Sequence, residues 1–148
     1  MVNSKLTENI AIYVLALQTV VFYSDGISIA KLFLVAPFIN HKLLLQYLCD
    51  NEDINSLEGL ISKKPSFFSA FPKRYENSLV QSMNAIQYML EMQYISIKDG
   101  LVYKQNVVEY DNAMGERMKM IFDASRNISG LLNENSEEKL YLNLRIKL

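Results

Sequence analysis

Residues 72–104 read PKRYENSLVQSMNAIQYMLEMQYISIKDGLVYK, and this stretch carries the most informative pattern in the chain. Its first two thirds predict a helix from about Pro72 to Gln93, because proline suits the first helical turn and apolar side chains follow at helical spacing. Spacings of 4, 3 and 4 place four of them on one face, which we expect to be buried: Leu79, Met83, Ile86 and Leu90. The opposite face is polar and carries Ser78, Gln81, Asn84, Gln87 and Glu91.

The spacing pattern changes at the end of this helix. Two short β-rich runs, Tyr94–Ile97 and Leu101–Tyr103, flank the pair Asp99 and Gly100. An Asp-Gly pair between such runs is the strongest short-range signal for a β-hairpin. A long helix followed by a hairpin is typical of a winged-helix domain. The helix would then be the recognition helix and Tyr94–Lys104 the wing.

Caps and apolar spacing predict further helices before this core. Their bounds are Asn9–Tyr23, Ile29–Phe38, His41–Cys49, Ser56–Ile61 and Ser66–Phe71. We expect Pro37 to break or kink the second of them, because proline removes a backbone donor and clashes with the preceding turn. Asn40 is the expected cap of the third.

A long helix from about Glu109 to Leu132 is predicted after the hairpin. Its apolar seam repeats in a heptad-like pattern, with one serine as a weak point: Met114, Met118, Ile121, Ser125, Ile128 and Leu132. Ser136 is expected to start a short final helical turn. The end of the chain, Leu140–Leu148, alternates partly and predicts a strand or a docked tail.

The predicted fold is therefore mainly α-helical with a small β-hairpin: a winged-helix-like domain with extra N- and C-terminal helices. Its 148 residues are expected to form one domain, because chains of this length commonly build a single core. The domain would comprise N-terminal apolar helices at residues 9–50, a winged-helix-like core at 55–104, and a C-terminal helix and tail at 107–148.

Charge is scarce in the first third of the chain. Only 6 of the 31 charged side chains lie in residues 1–50, and the run Ile10–Tyr23 is apolar over 14 residues. A bilayer span needs about 20 apolar residues, so this run predicts a buried helix rather than a membrane segment. We expect a cytoplasmic protein without a membrane contact, and we predict that part of Ile10–Leu48 is buried against another protein chain.

Catalytic residues are hard to assemble from this composition. The chain has one cysteine, Cys49, and one histidine, His41, which precedes it by 8 residues along a predicted helix. A Gly-x-Ser-x-Gly motif and a glycine-rich phosphate loop are both missing from the sequence. We therefore expect no enzyme activity, no cofactor and no metal site, and we interpret His41 as a packed or capping residue.

Direct binding of nucleic acid is disfavoured by charge. The net charge is −1, and the predicted recognition helix has no Lys or Arg from Tyr75 to Gln93, whereas phosphate contacts need them. Four basic residues near its start are the candidates for a weak nucleic-acid contact: Lys63, Lys64, Lys73 and Arg74. A solvated surface is the favoured interpretation of these four residues.

Three segments resemble a bacterial family. They are the apolar run Leu32–Lys42 (LFLVAPFINHK), the entry into the long helix at Phe68–Arg74, and the tail Leu140–Arg145. The chain resembles the middle component of ABC-three-component systems, the small subunit of Lamassu-type antiphage and antiplasmid defence. The family's tail motif has glycine and proline where this chain has Asn143 and Ile146, and asparagine tolerates the left-handed backbone that such a turn requires.

The resemblance implies a non-catalytic subunit that bridges or restrains two partners. One is an SMC-like (RecN/Rad50-like) ATPase that senses foreign DNA, and the other is an effector, often a nuclease. DNA would be contacted mainly through the complex. The candidate residues for the protein interface are Tyr13, Phe22, Phe33, Phe38, His41, Met92, Met120, Tyr141 and Arg145. Two alternatives stay open: a winged-helix transcriptional regulator, which follows from the helix–hairpin order, and an antitoxin-like inhibitor of a neighbouring effector.

Overall fold

The described residues form mainly helices, together with one small antiparallel sheet. The computed structural model describes residues 4–52, 54, 56–106, 113 and 115–147, with side chains from residue 10 onward. The helices are α1 (Ser4–Phe22), α2 (Ile29–Leu32), α3 (Val35–Ile39), α4 (Lys42–Asp50), α5 (Leu57–Lys63), a 3₁₀ turn (Pro65–Phe67), α6 (Phe71–Glu91), α7 (Glu116–Asn133) and α8 (Glu137–Asn143). The strands are β1 (Ile27–Ser28), β2 (Ile95–Lys98) and β3 (Leu101–Lys104). The predicted mainly helical fold with a small β-hairpin is confirmed.

The hairpin forms where the sequence predicts it. Strands β2 and β3 pair antiparallel, with Ile97 opposite Val102. Asp99 and Gly100 both have positive φ, 53° and 78°, as the two central residues of a type I′ turn require. Strand β1 adds to the other edge of β3 and gives the sheet order β1-β3-β2, with Ile27 opposite Val102.

The buried face of α6 differs from the predicted one. Of the four apolar residues expected in the core, only Ile86 is buried, whereas Met83 and Leu90 are 53% and 36% exposed. Helix α6 packs mainly against α1 and α3. Three of its buried residues are small, and the full set is Phe71, Tyr75, Ser78, Ser82, Ala85, Ile86 and Met89. Small side chains allow neighbouring helices to approach closely, so the seam follows Ser78, Ser82 and Ala85 rather than the apolar spacing.

Helix α7 buries its predicted seam. Ile121, Ser125, Ile128 and Leu132 are buried, and α7 packs against both α1 and α4. The polar member of this seam satisfies its own hydroxyl, because Ser125 Oγ donates to the Ile121 carbonyl at 2.6 Å. Helix α7 begins at Glu116, because Gly115 has the non-helical φ of 96°, so the prediction of one continuous helix from about Glu109 is wrong. Met118 is half-buried, and the seam position Met114 lies outside the described residues.

The second predicted helix breaks earlier than expected. It divides at Phe33 and Leu34, between α2 and α3, and Pro37 lies inside the first turn of α3. A proline is tolerated there because the first amide groups of a helix have no intrahelical partner. Helix α4 is capped by His41, whose Nδ1 accepts the Leu44 N–H at 3.1 Å, so the prediction of a cap at Asn40 is wrong.

Glu137–Asn143 form helix α8, and the residues described after it, 144–147, do not form a strand. Ser136 caps α8 by accepting the Lys139 N–H at 3.2 Å, which confirms the predicted start of a final helical turn. The left-handed backbone in this region belongs to Arg145, with φ 60°, and not to Asn143. Leu144 is buried, so the end of α8 is docked on the core.

The apolar N-terminal segment is largely covered by the chain itself. In α1, every residue from Ile12 to Val21 is buried. Within the described part of the chain, no single helix has the length and hydropathy to cross a bilayer. The consecutive stretches Ile29–Ile39 and Lys42–Asp50 reach that length and composition only as a pair, with a bend of 102° between them.

Candidate interaction surfaces

Three of the residues proposed for a protein interface lie in the core instead. Phe38 is fully buried, and its ring lies 5.0 Å from the ring of Phe71 between centroids. Tyr13 is buried, and its hydroxyl accepts an N–H from Asn40 at 2.8 Å. Tyr141 is buried, with 8% of its surface exposed. Large aromatic side chains bury much apolar surface in a core, and Phe38 and Tyr13 have that structural role here.

The other proposed interface residues keep accessible surface. Phe22 and Met92 are exposed, and so is Arg145. Phe33, His41 and Met120 are half-buried: Phe33 and Met120 pack against the core, and the His41 ring lies 5.5 Å from that of Phe67. That any of these residues contacts a partner stays a prediction.

The end of α1 presents an aromatic cluster that the sequence reasoning covered only in part. The rings of Phe22 and Tyr23 meet edge to face at 5.3 Å, and both side chains are exposed. Lys104 of the hairpin places its ammonium 4.6 Å from the Phe22 centroid, within cation–π range. Phe22, Tyr23 and Leu43 of α4 are the large apolar side chains that are exposed among the described residues of Ile10–Leu48. The predicted burial against another chain therefore concerns a small part of that segment.

A stripe of apolar side chains runs along the solvent side of α6. It consists of Leu79, Val80, Met83 and Leu90, and we call it the α6 stripe. Val80 is 66% exposed, and Leu79 is half-buried. The charged residues of α6 beyond Tyr75 are Glu76 and Glu91, and both are acidic and exposed. An apolar, slightly acidic helix face is suited to a protein partner and unsuited to a phosphate backbone.

The four basic residues proposed for nucleic-acid contact have different surroundings. Arg74 is half-buried and holds two carbonyls: its Nε donates to Pro37 O at 3.0 Å, and its Nη2 donates to Phe67 O at 2.8 Å. Burial lowers the pKa of its guanidinium. Lys63 and Lys64 both lie about 6 Å from the ring of Tyr47. Lys73 is exposed. Nucleic-acid contact by these residues stays a prediction.

The surroundings of the lone cysteine disfavour the reactive thiolate form. Cys49 Sγ lies 4.0 Å from Oδ2 of Asp123. Burial, followed by the negative charges of Asp123 and Asp50, raises the pKa of the thiol. Reactive cysteines need the opposite, because the thiolate is the nucleophile. Among the described residues, no three His, Cys, Asp or Glu side chains are grouped closely enough to hold a metal ion.

The single histidine is a structural cap, as one of its two sequence interpretations proposed. Its Nδ1 must be unprotonated to accept the Leu44 N–H, and burial, followed by the positive charge of Arg74, lowers the pKa of His41 from its ordinary value of 6.5. The unfolded chain therefore binds a proton more readily than the folded chain. The stabilisation is complete above pH 6.5 and is lost as the pH falls through the lower pKa of the folded state.

A substitution of His41 by asparagine is expected to remove this pH dependence. Asparagine is a strong cap that does not titrate, so the free energy of unfolding should stay near that of the wild type at pH 7.5 and fall less toward pH 5. Urea unfolding at both pH values measures the difference. His41→Ala is the matched control, expected to cost about 0.5–2 kcal/mol at pH 7.5 through the lost cap. An identical pH slope in the wild type and His41→Asn would contradict this assignment.

The sequence profile of one protein family covers almost the whole chain. It is the family described as ABC-three component (ABC-3C) system Middle Component 3, and it matches residues 5–148. The chain belongs to this family. Membership in a three-component system implies protein partners for this middle component, which agrees with the resemblance found in its sequence. No curated protein and no solved structure matches the chain.

Proposed function

We propose that this middle component is a non-catalytic, cytoplasmic subunit of a Lamassu-type defence system. It bridges an SMC-like (RecN/Rad50-like) ATPase and an effector such as a nuclease, and it restrains the effector until the ATPase responds to foreign DNA. Family membership supports the assignment to a three-component system. The observation that carries the bridging role is the α6 stripe.

The α6 stripe supports a docking role because α6 is apolar on two sides. Its core side packs against α1 and α3, whereas Val80, Met83 and Leu90 are exposed on another side and do not serve the core of this chain. Leu79 lies between the two sides and packs partly against the core. Met83 and Leu90 are seven residues apart and Leu79 precedes Met83 by four, the spacing at which one helix presents anchors to a groove or to another helix. Methionine adapts to irregular partner surfaces.

A charged substitution in the stripe is expected to weaken assembly without unfolding the chain. Met83→Glu places a carboxylate in the proposed interface, and we expect at least about a tenfold loss of co-purification with the other two components expressed together. Gln46→Glu is the matched control, because Gln46 is exposed and lies on α4, outside the stripe. Thermal melting of both variants verifies folding. Undiminished co-purification of Met83→Glu would refute the docking role of the stripe.

A winged-helix regulator is the second candidate function. The hairpin of β2 and β3 follows directly on α6 and exposes Lys98 and Lys104. This function requires salt-dependent, sequence-selective DNA binding by the isolated chain. The absence of any Lys or Arg from Tyr75 to Gln93 weighs against it, and a flat binding curve at low salt would exclude it.

A further inference from the structure

A cavity of about 290 Å³ opens between α2, α6 and α8. Its walls are apolar or aromatic, and its rim is acidic: the lining residues are Ala30, Phe33, Tyr75, Glu137, Glu138 and Tyr141. We call it the aromatic pocket. Phe33 and Tyr141 were proposed separately from the sequence as interface residues, and the fold brings them to this one cavity although they lie 108 positions apart.

Hydrogen bonds hold the walls of the aromatic pocket in place. The Tyr141 hydroxyl donates to Ala30 O at 2.6 Å and lies 3.2 Å from the Tyr75 hydroxyl. Because Tyr141 gives its only hydroxyl proton to Ala30, Tyr75 must be the donor in the second bond. The two rings meet edge to face at 5.6 Å. Binding such a fixed site costs little ordering of the receptor.

The acidic rim decides which ligand fits. Glu137 and Glu138 are both exposed, and the one salt bridge within the described residues joins Lys139 to Glu58 instead. Glu137 and Glu138 line the pocket together with Tyr141. The pKa of Tyr141 is raised by burial first, then by its bond to Tyr75, and last by the charge of Glu137. Aromatic faces and carboxylates both attract cations, whereas a purely apolar ligand would make no favourable interaction with the two carboxylates.

We propose that the aromatic pocket binds an arginine side chain of another component of the system, and this inference rests on the bridging function proposed above. A guanidinium stacks on aromatic faces and pairs with carboxylates in a planar fork, which the compact lysine ammonium does not do as well. The methylene stem of the arginine covers the apolar wall, and its head pairs with Glu137 or Glu138.

Titration of the isotope-labelled full chain with N-acetyl-L-arginine methylamide, followed by NMR, tests the pocket directly. We expect saturable shifts centred on Phe33, Glu138 and Tyr141 with a dissociation constant of about 1–10 mM, which is reasonable for a single side chain. The lysine analogue should bind about threefold more weakly or worse. The norleucine analogue, which has a stem and no charge, should not saturate.

Variants separate the cation site from a merely apolar cavity. The double substitution Glu137→Gln and Glu138→Gln keeps the size of both side chains, and we expect it to weaken arginine binding at least about fivefold. The matched control is Glu134→Gln, an exposed acid just beyond α7 that does not line the pocket. Equal affinity for the arginine and norleucine analogues, or unchanged affinity in the double variant, would overturn the proposal.

The outcome is separable from that of the bridging function. Co-purification that depends on Met83, combined with a pocket that does not bind the arginine analogue, overturns the pocket alone. Specific arginine binding in a chain that never co-purifies with the other components supports the cation site and overturns the bridging function. When both hold, the double Gln variant should also lower co-purification, and the loss should be greater at low salt, where the charges are less screened.

Discussion

Replacing Phe38 with alanine should lower the free energy of unfolding by about 3–5 kcal/mol, the usual cost of removing a buried aromatic ring. The side chain is fully buried, and it contacts two further rings edge to face, Phe71 at 5.0 Å and Phe68 at 6.2 Å between centroids. Such pairs add about 0.5–1.5 kcal/mol beyond the buried area. The expected loss is a large fraction of the total stability of a domain of this size.

Urea unfolding of the full chain measures this cost, with Met83→Ala as the control. Met83 is a comparably large apolar residue, but it is half exposed, so its truncation should change the free energy of unfolding by less than about 0.5 kcal/mol. The contrast also distinguishes the two roles considered for Phe38. A cost below about 1 kcal/mol for Phe38→Ala would show that Phe38 is not a core residue and would support its role in a protein interface.

Local signals predicted the hairpin and α7. The Asp99-Gly100 pair adopts the positive φ angles that its turn type requires, and this requirement is written in two adjacent residues. The seam of α7 was predictable because only one of its faces is apolar. Strand β1 was missed because it has two residues, Ile27 and Ser28, whose pairing with β3 is decided about 75 positions further along the chain.

Helix α6 was misjudged because apolar spacing does not say which apolar face is buried. The helix has two candidate faces, and tertiary packing chose the one with small residues. Ser78 and Ser82 are almost completely buried, and Ser78 Oγ donates to the Tyr75 carbonyl at 3.2 Å. In the sequence, Ser78 read as part of the polar face. A rule that counts small residues as well as apolar ones would have found the seam.

The candidate surfaces were predictable only as scattered residues. Phe33 and Tyr141 were proposed separately as protein-interface residues, which stays a prediction, and the sequence gives no sign that they line one cavity. Tyr75 was not proposed at all, because a tyrosine near the start of a long helix reads as ordinary core. Glu137 and Glu138 follow the cap Ser136 as acids in the first turn of α8, where they interact favourably with the helix dipole, so nothing in the sequence sets them apart as ligands.

Replacing Arg74 with lysine should lower the free energy of unfolding by about 1–3 kcal/mol, although the charge is kept. The guanidinium reaches two carbonyls at once, Pro37 O at 3.0 Å and Phe67 O at 2.8 Å, and lies 5.3 Å from the Phe71 ring. A lysine ammonium does not reproduce this planar fork, and a carbonyl left without its donor in a half-buried position costs about 1–3 kcal/mol. Thermal and urea unfolding measure the loss.

The neighbouring residue separates this structural role from the proposed nucleic-acid contact. Lys73 is exposed, so Lys73→Gln should change the stability by less than about 0.5 kcal/mol while removing one positive charge. Arg74→Lys changes the stability and keeps the charge. If the assembled system touches DNA here, its affinity should fall in Lys73→Gln and stay near the wild-type value in Arg74→Lys below the melting temperature. A stable Arg74→Lys variant with weakened DNA binding would reverse the assignment. It would show that the guanidinium contacts a phosphate and does not stabilise the fold by linking Pro37 O of α3 to Phe67 O of the turn before α6.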